Sequence, residues 1–241
     1  MPHALAPSST EVAAESPPQR HDSRYNLTRS IALELFADRG FSNVSMRDLA
    51  LRLGISPGSI YNHIEGKEQL LFELIESIYL DLLDLVVPFR VNRDRPETAM
   101  VQLMQAHLKL HEDKSQHFRL AEHEFHSLSE PHQEEIILLR RQYEEHLSTL
   151  LGYLLSAESA ALKSAVPPVL VAILNNLPAW LEKSPLSCTN RSTLLIDMAL
   201  GALYGALQSK ASLTSIPQGN PPLDKNAVVL ALATPSLNPA T

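Results

Sequence analysis

Two helix signals separated by a two-residue turn constrain this chain more than any other feature. Ser45 is followed three residues later by Asp48, the S-x-x-D pattern in which a hydroxyl and a carboxylate each satisfy a free backbone N–H at a helix start. Met46, Leu49, Ala50 and Leu53 then recur on one helical face, and Gly54 supplies a stop, since glycine takes the left-handed conformation without steric cost. Ser56 and Pro57 begin again, a cap and then a proline at the first helical position, where its missing N–H is harmless. Only Gly54 and Ile55 lie between, so the two helices must meet at a steep angle: helix-turn-helix geometry. The second helix is expected to run to about His63, with Ile60 and Ile64 inward at i, i+4. Ser59, Tyr61, Asn62 and His63 are left outside, groups of the kind that reads base edges and phosphates.

The flanks agree with that expectation. Residues 27–40 form an amphipathic pattern with Leu27, Ile31, Ala32, Leu35 and Phe36 on one side, closed by Gly40, and residues 67–87 form a long following helix. The block from Ala32 to Leu71, A-L-E-L-F-A-D-R-G-F-S-N-V-S-M-R-D-L-A-L-R-L-G-I-S-P-G-S-I-Y-N-H-I-E-G-K-E-Q-L-L, resembles the N-terminal DNA-binding domain of the TetR family of transcriptional regulators, over residues 23–75 without a gap. The resemblance implies that Ser45 touches a phosphate at the start of the second helix and that Arg47 reaches the backbone or groove nearby. It further implies that Ser56, Gly58 and Ser59 open the recognition helix, that Tyr61 and His63 contact phosphates, and that Lys67 grips another. Ile64 departs from the family, which more often has phenylalanine there.

Charge is distributed to match. Residues 20–67 carry seven Lys and Arg (Arg20, Arg24, Arg29, Arg39, Arg47, Arg52, Lys67) against five Asp and Glu, a net of plus 2, whereas the whole chain is at minus 7 and the remainder therefore at minus 9. A cationic head on an acidic body draws DNA to one end, and so small a surplus per head argues for binding as a dimer.

Glycine is absent from Lys67 to Leu151, and the apolar spacing there is helical throughout. Leu71, Leu74, Ile75, Ile78, Leu82 and Leu85 mark a fourth helix, and Ala99, Leu103, Ala106 and Leu110 a fifth beginning near Pro96. A sixth spans about 115–128, a seventh 131–155, an eighth starts at Pro167-Pro168 and reaches Trp180, and a ninth runs from Thr189 or Asn190 to about Ala211. The expected fold is all-α with about nine helices: a disordered tail over 1–20, a three-helix DNA-binding domain over 21–67, a helical ligand-binding and dimerisation domain over 68–211, and a Pro-rich tail over 212–241. Residues 1–20 have no apolar run and no early positive charge, so they read as neither signal peptide nor membrane anchor. No uninterrupted apolar stretch approaches the ~20 residues that span a bilayer. The single cysteine, Cys188, allows no intrachain disulfide, which fits a cytoplasmic location.

The last helix is apolar almost all round between Leu194 and Leu207, more than one side of a bundle can use. Leu195, Met198, Gly201, Ala202 and Gly205 are the expected homodimer interface, Gly201 and Gly205 sharing a face that lets another backbone approach; TetR members pair through their last two helices. The stretch Phe118-Arg119-Leu120-Ala121-Glu122-His123-Glu124-Phe125, with Leu-Arg-Arg-Gln-Tyr-Glu at 139–144, is similar to the regulatory domains of TetR members such as the KstR-like group, which respond to acyl-CoA thioesters. That likeness implies a tunnel lined by Phe118, Glu122, Phe125, Arg140, Tyr143 and Trp180 for a small apolar or acyl-CoA effector. No cofactor is expected. His107 and His111 are i, i+4, and His117, His123 and His126 follow with Glu122 and Glu124, so a divalent metal could be held on paper. Solvated faces are the commoner use of such histidines, and no metal ligands are assigned. Three readings follow: a ligand-responsive regulator, most readily a repressor, binding a near-palindromic double-stranded operator as a dimer; a metal-dependent helical enzyme; and a constitutive architectural DNA binder. No nucleotide loop, nucleophile elbow or catalytic constellation supports the enzyme.

Overall fold

The computed structural model describes residues 19–62, 64–91, 95–154 and 160–208, and all regular structure among them is helical. Eight α-helices follow one another: α1 (Gln19–Arg39), α2 (Met46–Leu53), α3 (Lys67–Val86), α4 (Pro96–Asp113), α5 (Ser115–His123), α6 (Glu130–Leu154), α7 (Ala160–Leu181) and α8 (Cys188–Gln208). The third of the nine expected elements is a 3-10 turn, Ser59–Asn62. The chain divides into a compact unit over residues 1–200 and a second over 201–241, of which 201–208 are described. The expected disordered tail lies outside the described residues except for Gln19 and Arg20, which open α1. The Pro-rich tail lies outside them altogether.

α1 buries Thr28, Ala32, Leu35 and Phe36, the i, i+4, i+7, i+8 stripe of one helical face. Leu27 was expected on that face, but it stands at its edge and is exposed, while Thr28 turns inward with its hydroxyl donating to the Arg24 carbonyl at 2.9 Å. α3 runs on from the head as the central rod, burying Leu70, Leu71, Leu74, Ile75, Ile78 and Leu82 against α5 and α6. α4, α6 and α7 close the body around it.

Two expectations about the body change. α4 turns Met100, Leu103, Met104, His107, Leu108 and His111 inward rather than Ala106 and Leu110, so two histidines enter the core. α7 begins at Ala160, with Pro167, Pro168 and Pro178 inside it rather than at its start. Each proline removes one intrahelical donor, and Pro167 is nonetheless buried. Lys163–Leu181 is long and apolar enough to pass for a membrane span by length and composition. Here that segment packs on α4, α5 and α6 and carries Asn175 into the core.

Candidate nucleic-acid interface and interior polar network

The head is assembled by its caps. Ser45 Oγ accepts the Asp48 N–H at 3.2 Å and the Asp48 carboxylate accepts the Ser45 N–H at 2.8 Å, a complete capping box. The Ser45 hydroxyl and backbone N–H, both donating to the Asp48 carboxylate, hold that carboxyl below the usual carboxylate range. Gly54 closes α2 at φ 69°, the left-handed conformation anticipated for it, and the Ile55 N–H reaches back to the Ala50 carbonyl at 3.0 Å. Beyond the turn, Ser56 Oγ accepts the Ser59 N–H at 3.2 Å and lies 2.7 Å from Ser59 Oγ. Ile60 and Ile64 are buried, and Ile64 donates to the Ile60 carbonyl at 3.2 Å, so an isoleucine at 64 seats the segment without an aromatic ring.

The element is shorter and tighter than the α-helix expected from Ser56 to His63. Pro57 and Gly58 form a turn, and only Ser59–Asn62 coil, in 3-10 form. Glycine in a first turn and serine, tyrosine and asparagine after it are weak helix formers, so a stretch this short gains little from i to i+4 closure. Of the four side chains expected to face out, Tyr61 does so and Ser59 does so only in part. Tyr61 is 59% exposed, and Arg47, Ser45, Ser56 and Gly58 are exposed, with Ser59 half-buried. Asn62 is described in its backbone only, and His63 lies outside the described residues.

Lys67 has a structural task that the sequence did not announce. Its ammonium donates to the Phe41 carbonyl at 3.0 Å and the Val44 carbonyl at 2.9 Å and sits 4.1 Å from the Phe41 ring centroid. Two of three N–H groups are thereby committed to the loop that sets α2, and one is left for a phosphate. Lys67→Met should cost about 1–3 kcal/mol, chiefly by leaving the Val44 carbonyl unmatched, since the Phe41 carbonyl keeps the Val44 N–H at 3.2 Å. Denaturant unfolding of the variant checks this, and a loss confined to DNA affinity would contradict it.

The head is tied to the body through α3 and α5. Glu124, just past α5, accepts the Phe41 N–H at 3.1 Å, and Arg119 donates to the Ala37 carbonyl at 3.4 Å. Glu73 accepts from Tyr25, and Arg29 donates to the Glu73 carbonyl at 3.1 Å. At the first turn of α3, Glu68 accepts the Ser129 N–H at 2.8 Å and meets His132 Nδ1 at 2.9 Å, the His132 ring stacking on Phe72 at 4.0 Å.

The body holds a closed polar chain in its core. Tyr143 Oη and His107 Nδ1 are 2.8 Å apart, His107 Nε2 is 3.1 Å from Asn175 Oδ1, and Asn175 Nδ2 donates to Glu122 Oε1 at 2.7 Å. An amide oxygen can only accept, so His107 Nε2 carries the hydrogen. Burial, with repulsion from His111, pushes the His107 imidazole down to about 3, so its Nδ1 is bare and accepts from the Tyr143 hydroxyl. Burial likewise raises the Tyr143 phenol, which keeps it a donor. Direction is thus fixed from Tyr143 through His107 and Asn175 to the Glu122 carboxylate, which also accepts from Asn176 at 3.1 Å. His111 Nε2 donates to the Asn175 carbonyl at 3.0 Å.

Of the residues expected to line a ligand tunnel, Phe118, Glu122 and Tyr143 meet at this network, Phe118 packing on His111 with centroids 4.5 Å apart. Arg140 is committed to Glu144 at 3.0 Å on its own helix. Phe125 stands apart in the Phe125–Ser127 turn beside His126, and Trp180 is 84% exposed. Its place on an apolar helix suggested burial, but it falls on the outward face near the end of α7. His107, His111 and Asn175 are the residues sequence reasoning missed. Setting the histidines among the apolar positions of the 100, 103, 104, 107, 108, 111 stripe would have found two of them. On α8, Leu195 is turned into its own subunit's core at 3% exposure, whereas Met198 is 52% exposed and Gly201, Ala202 and Gly205 are exposed. A Cβ at Gly201 or Gly205 would meet open space.

Residues 30–74 match the family model of bacterial regulatory proteins of the tetR family, and residues 93–184 match a tetracyclin repressor-like C-terminal domain. The HTH-type transcriptional repressor KstR2 of Mycolicibacterium smegmatis is 37% identical over 73 residues, 30% of this chain and 33% of that one, so the match spans about a third of the relative's length. The fold is shared with PfmR, a TetR family regulator of Thermus thermophilus, at TM-score 0.64 and 24% identity over 72% of this chain and 97% of that one. It is also shared with AibR, solved with isovaleryl coenzyme A and operator DNA, at TM-score 0.62 and 19% identity over 73% and 97%. With a capped helix-turn-helix at one end, a helical body at the other and a family model matched in each, the chain belongs to the TetR family of bacterial regulatory proteins.

Proposed function

We propose that this protein is a ligand-controlled transcriptional regulator, most readily a repressor, rather than an enzyme, that binds a near-palindromic operator as a homodimer and lets go when a small apolar or acyl-CoA-type effector binds its body. The observation that carries the reading is the exposed set Ser45, Arg47, Ser56, Gly58 and Tyr61 on the capped helix-turn-helix, with Ser59 half-buried among them, Asn62 and His63 in the same segment, and Lys67 anchored beside it. Repression is supported by the KstR2 relative, named as a repressor, and an acyl-CoA effector by AibR, which holds one together with DNA. Two heads on one duplex must sit about 34 Å apart in successive major grooves, which is why the dimer is part of the reading. Met198, Gly201, Ala202 and Gly205 are the proposed interface, Leu195 being buried in its own subunit.

Selection of genomic fragments on the full chain, followed by footprinting, should return inverted half-sites. Tyr61→Ala should weaken binding about five- to tenfold with an unchanged melting temperature, the scale of losing one well-placed contact at a partly exposed site. Met198→Arg should give a folded monomer that binds one half-site weakly. Tight, specific binding by that monomer would overturn the dimeric reading, and loss of Tyr61 without effect on DNA would overturn the interface.

A further inference from the structure

A cleft of about 200 Å³ opens between the ends of α4 and α7 and the starts of α5 and α8. Its floor is apolar: Leu108, Pro178, Leu181 and Leu195. His111 forms part of the wall, 5% exposed and neutral, since burial lowers its imidazole below the usual histidine range. Glu112 and Glu182 stand at the rim, both exposed and both close enough for their charges to act on His111. Arg191 is the one cation of the lining. Its guanidinium is turned to the end of α7, donating to the carbonyls of Leu181 at 3.2 Å and Glu182 at 3.1 Å and lying 3.0 Å from Cys188 Sγ. It neutralises helix-terminal carbonyls there rather than facing a ligand.

We propose that this cleft binds a small apolar cation, a protonated amine on a compact hydrocarbon body, with the ammonium between Glu112 and Glu182 and the hydrocarbon on Leu108, Pro178, Leu181 and Leu195. Size and charge choose the occupant. An enclosed space of ~150 Å³ takes a single benzene ring, so this one takes a molecule of similar bulk, well short of a nucleotide-bearing thioester. Lys109 is held by Asp113 at 2.8 Å and lies 3.9 Å from Glu112, which also accepts from Ser192 Oγ at 3.4 Å; with Glu182 the rim stays acidic, which disfavours phosphates and carboxylates and favours an ammonium.

The assignment rests on the reading of the chain as effector-controlled only for its consequence at DNA. That consequence has a physical route. His111 donates to the Asn175 carbonyl, the Asn175 amide donates to Glu122 on α5, and the end of α5 leads to Glu124, which holds the Phe41 N–H of the head. An occupant pressing on His111 therefore acts on the helix that touches both parts.

Binding is read by isothermal titration calorimetry on the full chain, without DNA. The full chain is titrated with cyclohexylammonium chloride, cyclohexanol and sodium cyclohexanecarboxylate at fixed ionic strength. The expected result is saturable binding in the order amine, alcohol, carboxylate, with the amine at least about fivefold ahead of the alcohol. One partly exposed ion pair is worth about that factor. Glu112→Gln with Glu182→Gln should remove the preference while leaving helix content unchanged, and Ser192→Phe should weaken all binding by filling the cleft. No saturable amine binding, equal binding of the carboxylate, or an undiminished preference in the double variant overturns the site. Amine binding that leaves operator affinity unchanged upholds the cleft and counts instead against its role as the effector site of the regulator.

Discussion

Asn175→Ala should cost about 3–5 kcal/mol of folding stability, far more than an average surface change, because it strands two groups at once. The His107 Nε2–H loses its acceptor in a fully buried position, and one Glu122 oxygen loses its donor. Each stranded buried group costs about 1–3 kcal/mol, and the truncated side chain adds a cavity. The His111 bond survives, since it goes to the backbone carbonyl. A double-mutant cycle sharpens the test. With His107→Leu already in place, the same Asn175 substitution should cost less by about 1 kcal/mol or more, because there is no imidazole left to strand. Equilibrium unfolding in urea measures all four corners. Additive single effects, or a loss below about 1 kcal/mol for Asn175→Ala, would mean that the chain from Tyr143 to Glu122 is not a cooperating unit.

The second large effect is loss of stability in mild acid. His107 is held down to about 3 by burial and the neighbouring His111, His117 to about 4 by burial and Lys114, and His111 is also lowered by burial. A histidine in the unfolded chain titrates near 6.5. Between that value and the folded ones the unfolded state binds more protons, so stability is complete above about pH 6.5 and falls as the pH drops. His107 alone removes about 1.4 kcal/mol per pH unit, about 2 kcal/mol by pH 5. His111 acts in the same direction, and His117, half-buried, adds a smaller amount because solvent screens it. Carboxylates act lower down: the depressed Glu68 withdraws stability only below its ordinary range, whereas Glu76, raised by burial and by Glu135 and Glu73, opposes the loss. His107→Gln retains a donor for Asn175 and an acceptor for Tyr143 without a titrating ring. Its unfolding free energy should be lower at pH 7.5 and flatter from pH 7 to 5, by about one proton's slope. Equal slopes for the two proteins would refute the assignment of that slope to His107.

Local signals carried the head, and distant pairings escaped. Ser45, Asp48 and Gly54 act through caps only a few residues long, so these were legible from spacing and hold in the structure. The segment after the turn was readable in Tyr61, which it exposes, and not in its form. Pro57 and Gly58 punctuate a turn as well as a helix, and so few residues cannot reveal which closure prevails. In α4 the expected stripe holds at Ala99 and Leu103 and then slips one residue, to His107 and His111 in place of Ala106 and Leu110, since histidines were counted as polar. His107 and His111 are accommodated inside because Asn175, more than sixty residues on, supplies their partners. No pattern confined to α4 could contain that. α7 misled for the opposite reason: tandem prolines read as a start, and the packing of an apolar helix on three neighbours outweighs two missing donors. Trp180, expected in the lining, falls on the outward face that even so apolar a helix has.

The pin at Glu68 sets the mechanics of the rod that joins head to body. α3 is 20 residues long, about 30 Å, and Glu68 fastens its second residue to the Ser129 amide and to His132. A beam clamped beside its loaded tip transmits little deflection to that tip: pushing on the far end bows the shaft while the fulcrum stays put. On the proposed reading, displacing the exposed helix-turn-helix segment would require the clamp to open first, a release followed by a swing, and so a threshold rather than a proportional response.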